Sequence, residues 1–498
     1  MTGEDNTPRR ARRGDRALAI STAIVIACLF ASALLDGTSI DDLWTLYLAD
    51  AGKPIDTLAK LRWSLDIRPP LFDAWASILS HVGLESVALG RLLSHAPVIL
   101  LLVLATRAFM LRLPDDRRFH ALFLLLMLSA PATIHSAGLY RGDFWQLAAF
   151  SIQTMLVRHI MYVQEDYRSR NDGRIALFAL PATMAAITLD YGGALFGGVL
   201  AMATILAAIA RGLRRWARSL TLVLALSVAG VIASISWQAP FWARHFDLYQ
   251  NWIEMETTSA ATIIMGLLIG TVLHNPVAIA GAYVGRDKWT RHDSGFAALL
   301  GIALVASLVA IMQIDAQRRL VTSSNSADIA VLVAALMATA GTKLLDKKLW
   351  RIALCTVAAL SALTAMTVGG LGGAWQNGAK KIARIAGDCP GTRIFAASGW
   401  RLDDGSKSRA ARREEPVFTL GYRRLAQLHG FDVTLLSRDR PVNVVLDRCP
   451  VLIWIEQVPS FTRPKPDKIV RKIGLRGLES ARLSVIRTNS GLIVRADR

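Results

Sequence analysis

At 498 residues, 53% of them hydrophobic, with a mean hydropathy of +0.37, the chain is too apolar for an ordinary soluble domain. A formal net charge of +19 would suggest nucleic acid in a soluble protein, but here the basic residues gather in short loops and in the C-terminal region, which fits membrane topology and anionic lipid better. No zinc-finger spacing, phosphate-cradling loop or basic helix with stacking aromatics is present, so nucleic acid is not an expected partner.

The chain begins with a basic segment, residues 1–16, containing Arg9-Arg10-Ala11-Arg12-Arg13. The apolar run that follows is long for a signal-peptide core and lacks a small-residue cleavage site, so it reads as an uncleaved first helix anchored in the cytoplasm. Hydropathy predicts eleven spans, over 17–35, 87–110, 119–137, 143–163, 174–190, 192–210, 219–236, 260–284, 295–314, 326–343 and 350–370. The even-numbered gaps hold the strongest basic clusters, among them Arg112–Arg118, Arg211–Arg218 and Lys343–Arg351, and the positive-inside rule places these in the cytoplasm. The odd-numbered gaps and the C-terminus then face outward. The very short turn at Asp190-Tyr191-Gly192-Gly193 decides the orientation of everything after it.

Polar chemistry concentrates in the outward gaps. The first, residues 36–86, carries Asp41-Asp42 and then Asp66-Ile67-Arg68-Pro69-Pro70-Leu71. A carboxylate beside the bilayer suits a general base acting on a hydroxyl or amine, although two acids at a helix start also suit the helix dipole as a capping pair. The two prolines hold the backbone near Arg68 extended. Arg68 either meets phosphate oxygens or pairs with Asp66. Arg91, near the outer end of the second span, needs a partner, either a phosphate or Glu85. The second outward turn, Tyr140-Arg141-Gly142-Asp143, offers Tyr140 and Asp143 as substrate contacts, with helix capping as the alternative for Asp143. A loop is expected over Trp237–Ser259, with His245 more suited to packing than to ligation. Arg318 and Arg319 follow the ninth span as phosphate contacts or as interfacial anchors.

After Gly369-Gly370-Leu371-Gly372-Gly373 the composition becomes that of a soluble α/β domain, residues 374–498. Strands are predicted over Thr392–Ala397, Pro441–Leu446, Val451–Glu456, Ala481–Thr488 and Gly491–Arg495, and a helix over Val417–His429. Residues 376–498 hold 24 Lys and Arg against 12 Asp and Glu, so this domain supplies most of the net charge. Its basic surface would face anionic headgroups or glycan, or simply solvent. Cys389 and Cys449 both precede proline beside a predicted strand, and in an oxidising compartment they are expected to form a disulfide, two free thiols being the alternative. Cys28 and Cys355 lie in apolar spans and read as inert core residues. No metal-ligand spacing is found, and no cofactor is expected.

The order of an apolar span, Asp41-Asp42, Asp66-Ile67-Arg68-Pro69-Pro70-Leu71 and Gly83-Leu84-Glu85-Ser86 running to Arg91 resembles the GT-C glycosyltransferases of the protein O-mannosyltransferase and lipid A aminoarabinose transferase (ArnT-like) type. The chain departs from that pattern in having Asp42 where Glu is common and Arg68 where Lys or His is common. The resemblance implies a polyprenyl-phosphate sugar donor, transfer on the periplasmic or lumenal face, a first-loop acid as base and basic residues on the donor phosphate. A bacterial inner-membrane transferase acting on an envelope glycan or glycolipid is therefore the expectation, with Asp41 favoured over Asp42 as the base. A transporter or flippase of lipid-linked sugars is the competing class. It would place polar groups near the bilayer midplane and show internal repeats, neither of which is evident.

Overall fold

The computed structural model describes residues 7–50, 53–64, 68–84, 86–163, 172–253, 259–317, 321–322, 326–371, 374–402, 407–436, 440–456, 465–488 and 491–498. Helix α1 (Thr7–Leu35) is followed by three short helices, α2 (Ile40–Ala49), α3 (Pro54–Arg62) and α4 (Leu71–His81). The bundle continues with α5 (Val87–Arg112), α6 (Arg117–Ser129), α7 (Pro131–Ala137), α8 (Asp143–Tyr162), α9 (Asp172–Thr188), α10 (Tyr191–Ala210) and α11 (Arg214–Ile253). Helices α12 (Ala260–Leu273), α13 (Pro276–Val284), α14 (Arg291–Gln317), α15 (Asp328–Gly341) and α16 (Lys348–Leu371) complete it.

Every stretch predicted to span is helical. Among the described residues, six helical segments are long and apolar enough to cross a bilayer: Arg16–Leu35, Val87–Arg112, Tyr191–Ala210, Arg214–Phe241, Arg291–Ala316 and Lys348–Val368. The bent pair α6–α7, which turns by 63° around Pro131, makes a seventh if it is one span. The chain is a multi-pass membrane protein by this measure. Helix α8 falls outside the set because it is central rather than lipid-facing. It packs on α5, α9, α10 and α15, and it turns Gln146, Gln153, Arg158 and His159 inward, where protein groups rather than lipid surround them. The predicted span over 260–284 divides into α12 and α13, with Asn275 at the break donating to the Leu354 carbonyl at 3.0 Å.

One expectation fails clearly. The stretch from Trp237 is no loop: α11 runs unbroken to Ile253, 40 residues in all, or about 60 Å. Hydropathy falls there because the helix has left the apolar layer, while its backbone bonds continue. His245 lies on this helix, and residues 254–258 lie outside the described set.

The C-terminal domain comprises α17 (Ala374–Asp388), β1 (Arg393–Ser398), α18 (Lys407–Leu428), β2 (Thr434–Leu435), β3 (Val442–Asn443), β4 (Val451–Glu456), α19 (Pro466–Lys472), β5 (Leu475–Arg476), β6 (Arg482–Arg487) and β7 (Gly491–Asp497). Its main sheet has the order β2-β1-β4-β7-β6, parallel from β2 to β4 and antiparallel from β4 to β6. Strand β4 is buried along its whole length, as its unbroken apolar sequence requires of a central strand covered on both faces. Cys389 and Cys449 are disulfide-bonded, Cα to Cα 5.7 Å, tying the end of α17 to the entry of β4. One sheet face packs on Ile469 and Ile473. The other shares a core with the short helices after α1: Leu43 and Trp44 of α2 and Phe72 of α4 meet Trp375, Tyr422 and Trp454. A Cβ on Gly421 would stand 2.5 Å from Leu43 Cδ1 and 2.9 Å from Trp375 Cζ3, so α18 approaches α2 closely enough that an added methyl would have to displace these side chains. Helix α2 is therefore held between the bundle and the C-terminal domain.

Candidate active site

Ser39 caps α2 and makes a reciprocal capping box with Asp42: its backbone N–H and hydroxyl both donate to Asp42 Oδ2, at 2.6 and 2.7 Å. Arg91 reaches the same carboxylate from α5, with Nη2 2.6 Å from Oδ2 and Nε 3.3 Å from Oδ1. Its other bonds go to the Asp36 and Gly37 carbonyls, at 2.7 and 3.0 Å. The Tyr140 backbone N–H adds a fifth donor to Asp42, at 2.6 Å on Oδ1. Both Asp42 and Arg91 are 0% exposed.

This geometry revises the expected division of labour. Asp42 is fully buried and fully bonded, so neither oxygen can meet an acceptor proton, and it acts as the knot joining α2, α5 and the α7–α8 turn. Arg91 is spent on that knot and on two carbonyls, so it does not reach a carrier phosphate. Glu85, its alternative partner by sequence, lies outside the described residues. Tyr140 also contributes through its backbone, its carbonyl accepting from Thr45 at 2.7 Å. Its ring is packed under Phe72 and against Gly90, and burial holds its hydroxyl above the usual phenol range.

Asp41, one residue earlier, points elsewhere. Its side chain is 30% exposed and ion-paired with Arg141 Nη1. Sequence reasoning passed over Arg141, although it sits in the quoted turn beside Asp143. Arg68 is 6% exposed and held by Asp73, with Nε 3.0 Å from Oδ2 and Nη2 2.6 Å from Oδ1, while Nη2 also donates to Thr45 Oγ1. The described partner of Arg68 is thus Asp73, in the first turn of α4; Asp66 lies outside the described residues, as do Arg318 and Arg319. Pro70 is the N-cap of α4, and Gln238 of α11 donates to the Arg68 carbonyl at 3.2 Å, so the Pro-Pro turn is braced from both sides.

Asp143 is the first residue of α8 and not its cap, which is Gly142. It lies in electrostatic range of Arg141, Arg68, Asp190 and His135, and Asp190 and Asp143 are in turn in range of Asp328. Asp190 caps α10 by accepting from the Gly192 and Gly193 N–H groups, at 2.6 and 3.1 Å. Asp328, 2% exposed, accepts from Gln146 at 3.1 Å. Asp143 Oδ2, Asp328 Oδ1 and Gln146 Oε1 have no hydrogen-bond partner among the described residues. Asp190 and Asp328 escaped sequence reasoning because each looks like an ordinary acid at a helix start. Among the described residues no group of three His, Cys, Asp or Glu side chains is arranged to hold a metal ion.

No family model matches the sequence, and no curated protein matches it. Among solved structures, the chain is similar to ArnT from Cupriavidus metallidurans in the apo state, with a TM-score of 0.50 at 15% identity, and to the same protein bound to undecaprenyl phosphate, with a TM-score of 0.51 at 14% identity. Each alignment covers 96% of this chain and 97% of the other. The two chains share their fold, bundle and C-terminal domain together.

Proposed function

We propose that the chain is a membrane glycosyltransferase that moves a sugar from a polyprenyl-phosphate carrier to an envelope glycolipid, lipopolysaccharide or other glycan, at the periplasmic face of the bacterial inner membrane. The observation that carries this reading is the contrast within one acidic pair: Asp42 is locked into the scaffold, and it holds Asp41 as a partly exposed carboxylate at the mouth of the site. The ArnT-type fold supports the class, and one of those ArnT structures binds undecaprenyl phosphate, a lipid of the proposed carrier type.

In the proposed reaction, the acceptor hydroxyl oxygen forms a bond to the anomeric carbon of the sugar. The bond from that carbon to the carrier phosphate oxygen breaks, and the phosphate leaves with the electron pair. The acceptor proton passes to Asp41. A single displacement of this kind inverts the anomeric configuration. Arg141, shared between Asp41 and the leaving phosphate, and Arg68, braced by Asp73, offset the developing charge. Arg318 and Arg319 remain proposed phosphate contacts. Asp143 orients a sugar hydroxyl. The first-loop helices lie on the outward side because the opposite ends of the helices carry the Arg112–Arg118 and Lys343–Arg351 clusters.

The test uses detergent-solubilised protein, a lipid-linked sugar and an envelope glycolipid extract, with no membrane gradient. Formation of glycosylated acceptor supports a transferase. A protein that forms no product here, yet moves lipid-linked sugar across proteoliposomes, would be a transporter instead.

A further inference from the structure

Further along α2 from Asp41 the structure holds a cavity of about 470 Å³ that the proposed chemistry does not use. Its walls come from three elements: Trp44 and Tyr47 of α2, Asp56 and Lys60 of α3 with Trp63 just after it, and Phe241 of α11. The volume lies within the range of roughly 300–1,000 Å³ usual for small-molecule sites. Four aromatic rings and one group of each charge line it. Trp44 stands edge-on to Tyr47, with centroids 6.1 Å apart, and Trp63 edge-on to Phe241, at 6.2 Å. Lys60 is fixed at the Tyr47 end, with Nζ 3.1 Å from the Tyr47 carbonyl and 4.8 Å from the ring centroid. Trp63 is 50% exposed, so an indole stands at the mouth.

We infer that this cavity seats a saccharide ring of the acceptor, an inference that rests on the transferase reading above. A sugar ring has apolar C–H faces and a polar rim of hydroxyls. Indole and phenol rings cover such faces, while a carboxylate and an ammonium accept from and donate to the rim. A purely hydrocarbon guest would leave Asp56 and Lys60 unmatched, and a phosphate would meet Asp56 as a like charge.

Position supports the assignment as strongly as composition does. Trp44 follows Asp41 by three residues on α2, so the two side chains are neighbours on one helix face about 4.5 Å apart along the axis. Phe241 follows Gln238 by one turn on α11, and Gln238 holds the Arg68 carbonyl. The cavity is therefore framed by the same two helices that set Asp41 and Arg68, and Trp44 of its wall lies within one helical turn of the proposed base. Trp63, just after α3, would alternatively anchor that helix in the membrane interface. Such a role would not select for acceptor over donor.

The test is steady-state kinetics in detergent on the full chain, with lipid-linked donor and lipopolysaccharide varied separately. The substitution Trp63→Ala is chosen because the indole is half exposed, and Asp56→Asn is a second variant on the exposed rim. Both are expected to raise the acceptor KM by about ten-fold, with donor KM and kcat little changed. In a second measurement, delipidated saccharide released from lipopolysaccharide should quench the tryptophan fluorescence of the unaltered protein, and Trp63→Ala should weaken that binding. Unchanged acceptor KM in both variants of an active enzyme overturns the cavity assignment alone, and equal rises in donor and acceptor KM do the same. An unaltered protein that makes no product refutes the transferase reading itself.

Discussion

Helix α8 carries a buried charge cluster at each end, and the two ends are built differently. Near Tyr162, Arg158 is 2% exposed and bonds Asp116 through Nε and Nη2, at 2.9 and 2.8 Å, and Asp293 through Nη2 at 2.8 Å. Lys343 and Tyr162 close the remaining sides of Asp293, at 2.6 Å each, so two cations face two anions. About 22 Å away along the helix, the Asp143 end holds Asp143, Asp190 and Asp328, while Arg141 and Arg68 are already paired with Asp41 and Asp73. The first cluster is balanced in charge, with Arg158 Nη1 lacking a hydrogen-bond partner among the described residues but its guanidinium packed on the Phe119, Tyr162 and Phe296 rings, and it staples α6, α8 and α14 together. Among the described residues the second has more acids than bases, and several of its acceptor atoms lack donors. A structural network cannot keep such a surplus without loss of stability, whereas a site that meets hydroxyl groups and a transferred proton needs it.

The largest effects should come from opening either closed pair. Arg158→Ala leaves Asp116 and Asp293 facing each other, and Arg91→Ala leaves Asp42 buried without its guanidinium. Each is expected to cost about 3–5 kcal/mol, seen as loss of the monodisperse peak on heating in detergent. Gly90→Ala should cost about 1–3 kcal/mol by the same measurement, because the new methyl would stand 2.7 Å from Tyr140 Cζ. The contrast itself is tested by neutralising one acid at each end. Asp293→Asn should lower thermal stability by about 1–3 kcal/mol, since it weakens bonds to Arg158 and Lys343. Asp328→Asn should leave stability unchanged or raise it while lowering transfer, since this buried carboxyl lies among Asp143 and Asp190 and its Oδ1 has no donor among the described residues. If Asp328→Asn destabilises as much as Asp293→Asn, the two clusters are of one kind.

The smallest effect concerns Asp36, whose carboxyl is raised above the usual range by burial, partly offset by the 2.6 Å bond from Ser32. A raised native pKa means that the folded state holds the proton more tightly than the unfolded chain. Stability from this group is therefore present at pH values below the unfolded carboxylate pKa and is lost as pH rises through the native one. Asp36→Asn should thus equal or exceed the unaltered protein in stability at neutral pH, with the difference closing in acid.

The membrane class, the helical stretches and the α/β tail are legible in the sequence, because each is written in local composition or spacing. The roles of Asp41 and Asp42 are not. Neighbouring residues on a helix point about 100° apart, so one faces Arg91 and the other Arg141, and nothing in a dipeptide says which. The partners are equally silent: Arg141 lies 100 residues from Asp41, and Asp328 lies 182 residues from Gln146, so their meeting depends on helix packing and register. Asp73 looks like a routine first-turn acid until the Pro-Pro turn swings Arg68 onto it. The polar, aromatic end of α11 reads as a loop because hydropathy reports the membrane boundary and not the end of the helix.

The central claim is that Asp41 does the proton chemistry and Asp42 builds the scaffold. It is tested most directly by single-turnover transfer with Asp41→Asn, purified from the membrane and matched to the unaltered protein in thermal stability. The account predicts normal folding, retained binding of lipid-linked donor and a transfer rate reduced by roughly 10²–10⁴-fold. A well-folded Asp41→Asn protein that transfers sugar at the unaltered rate would contradict it.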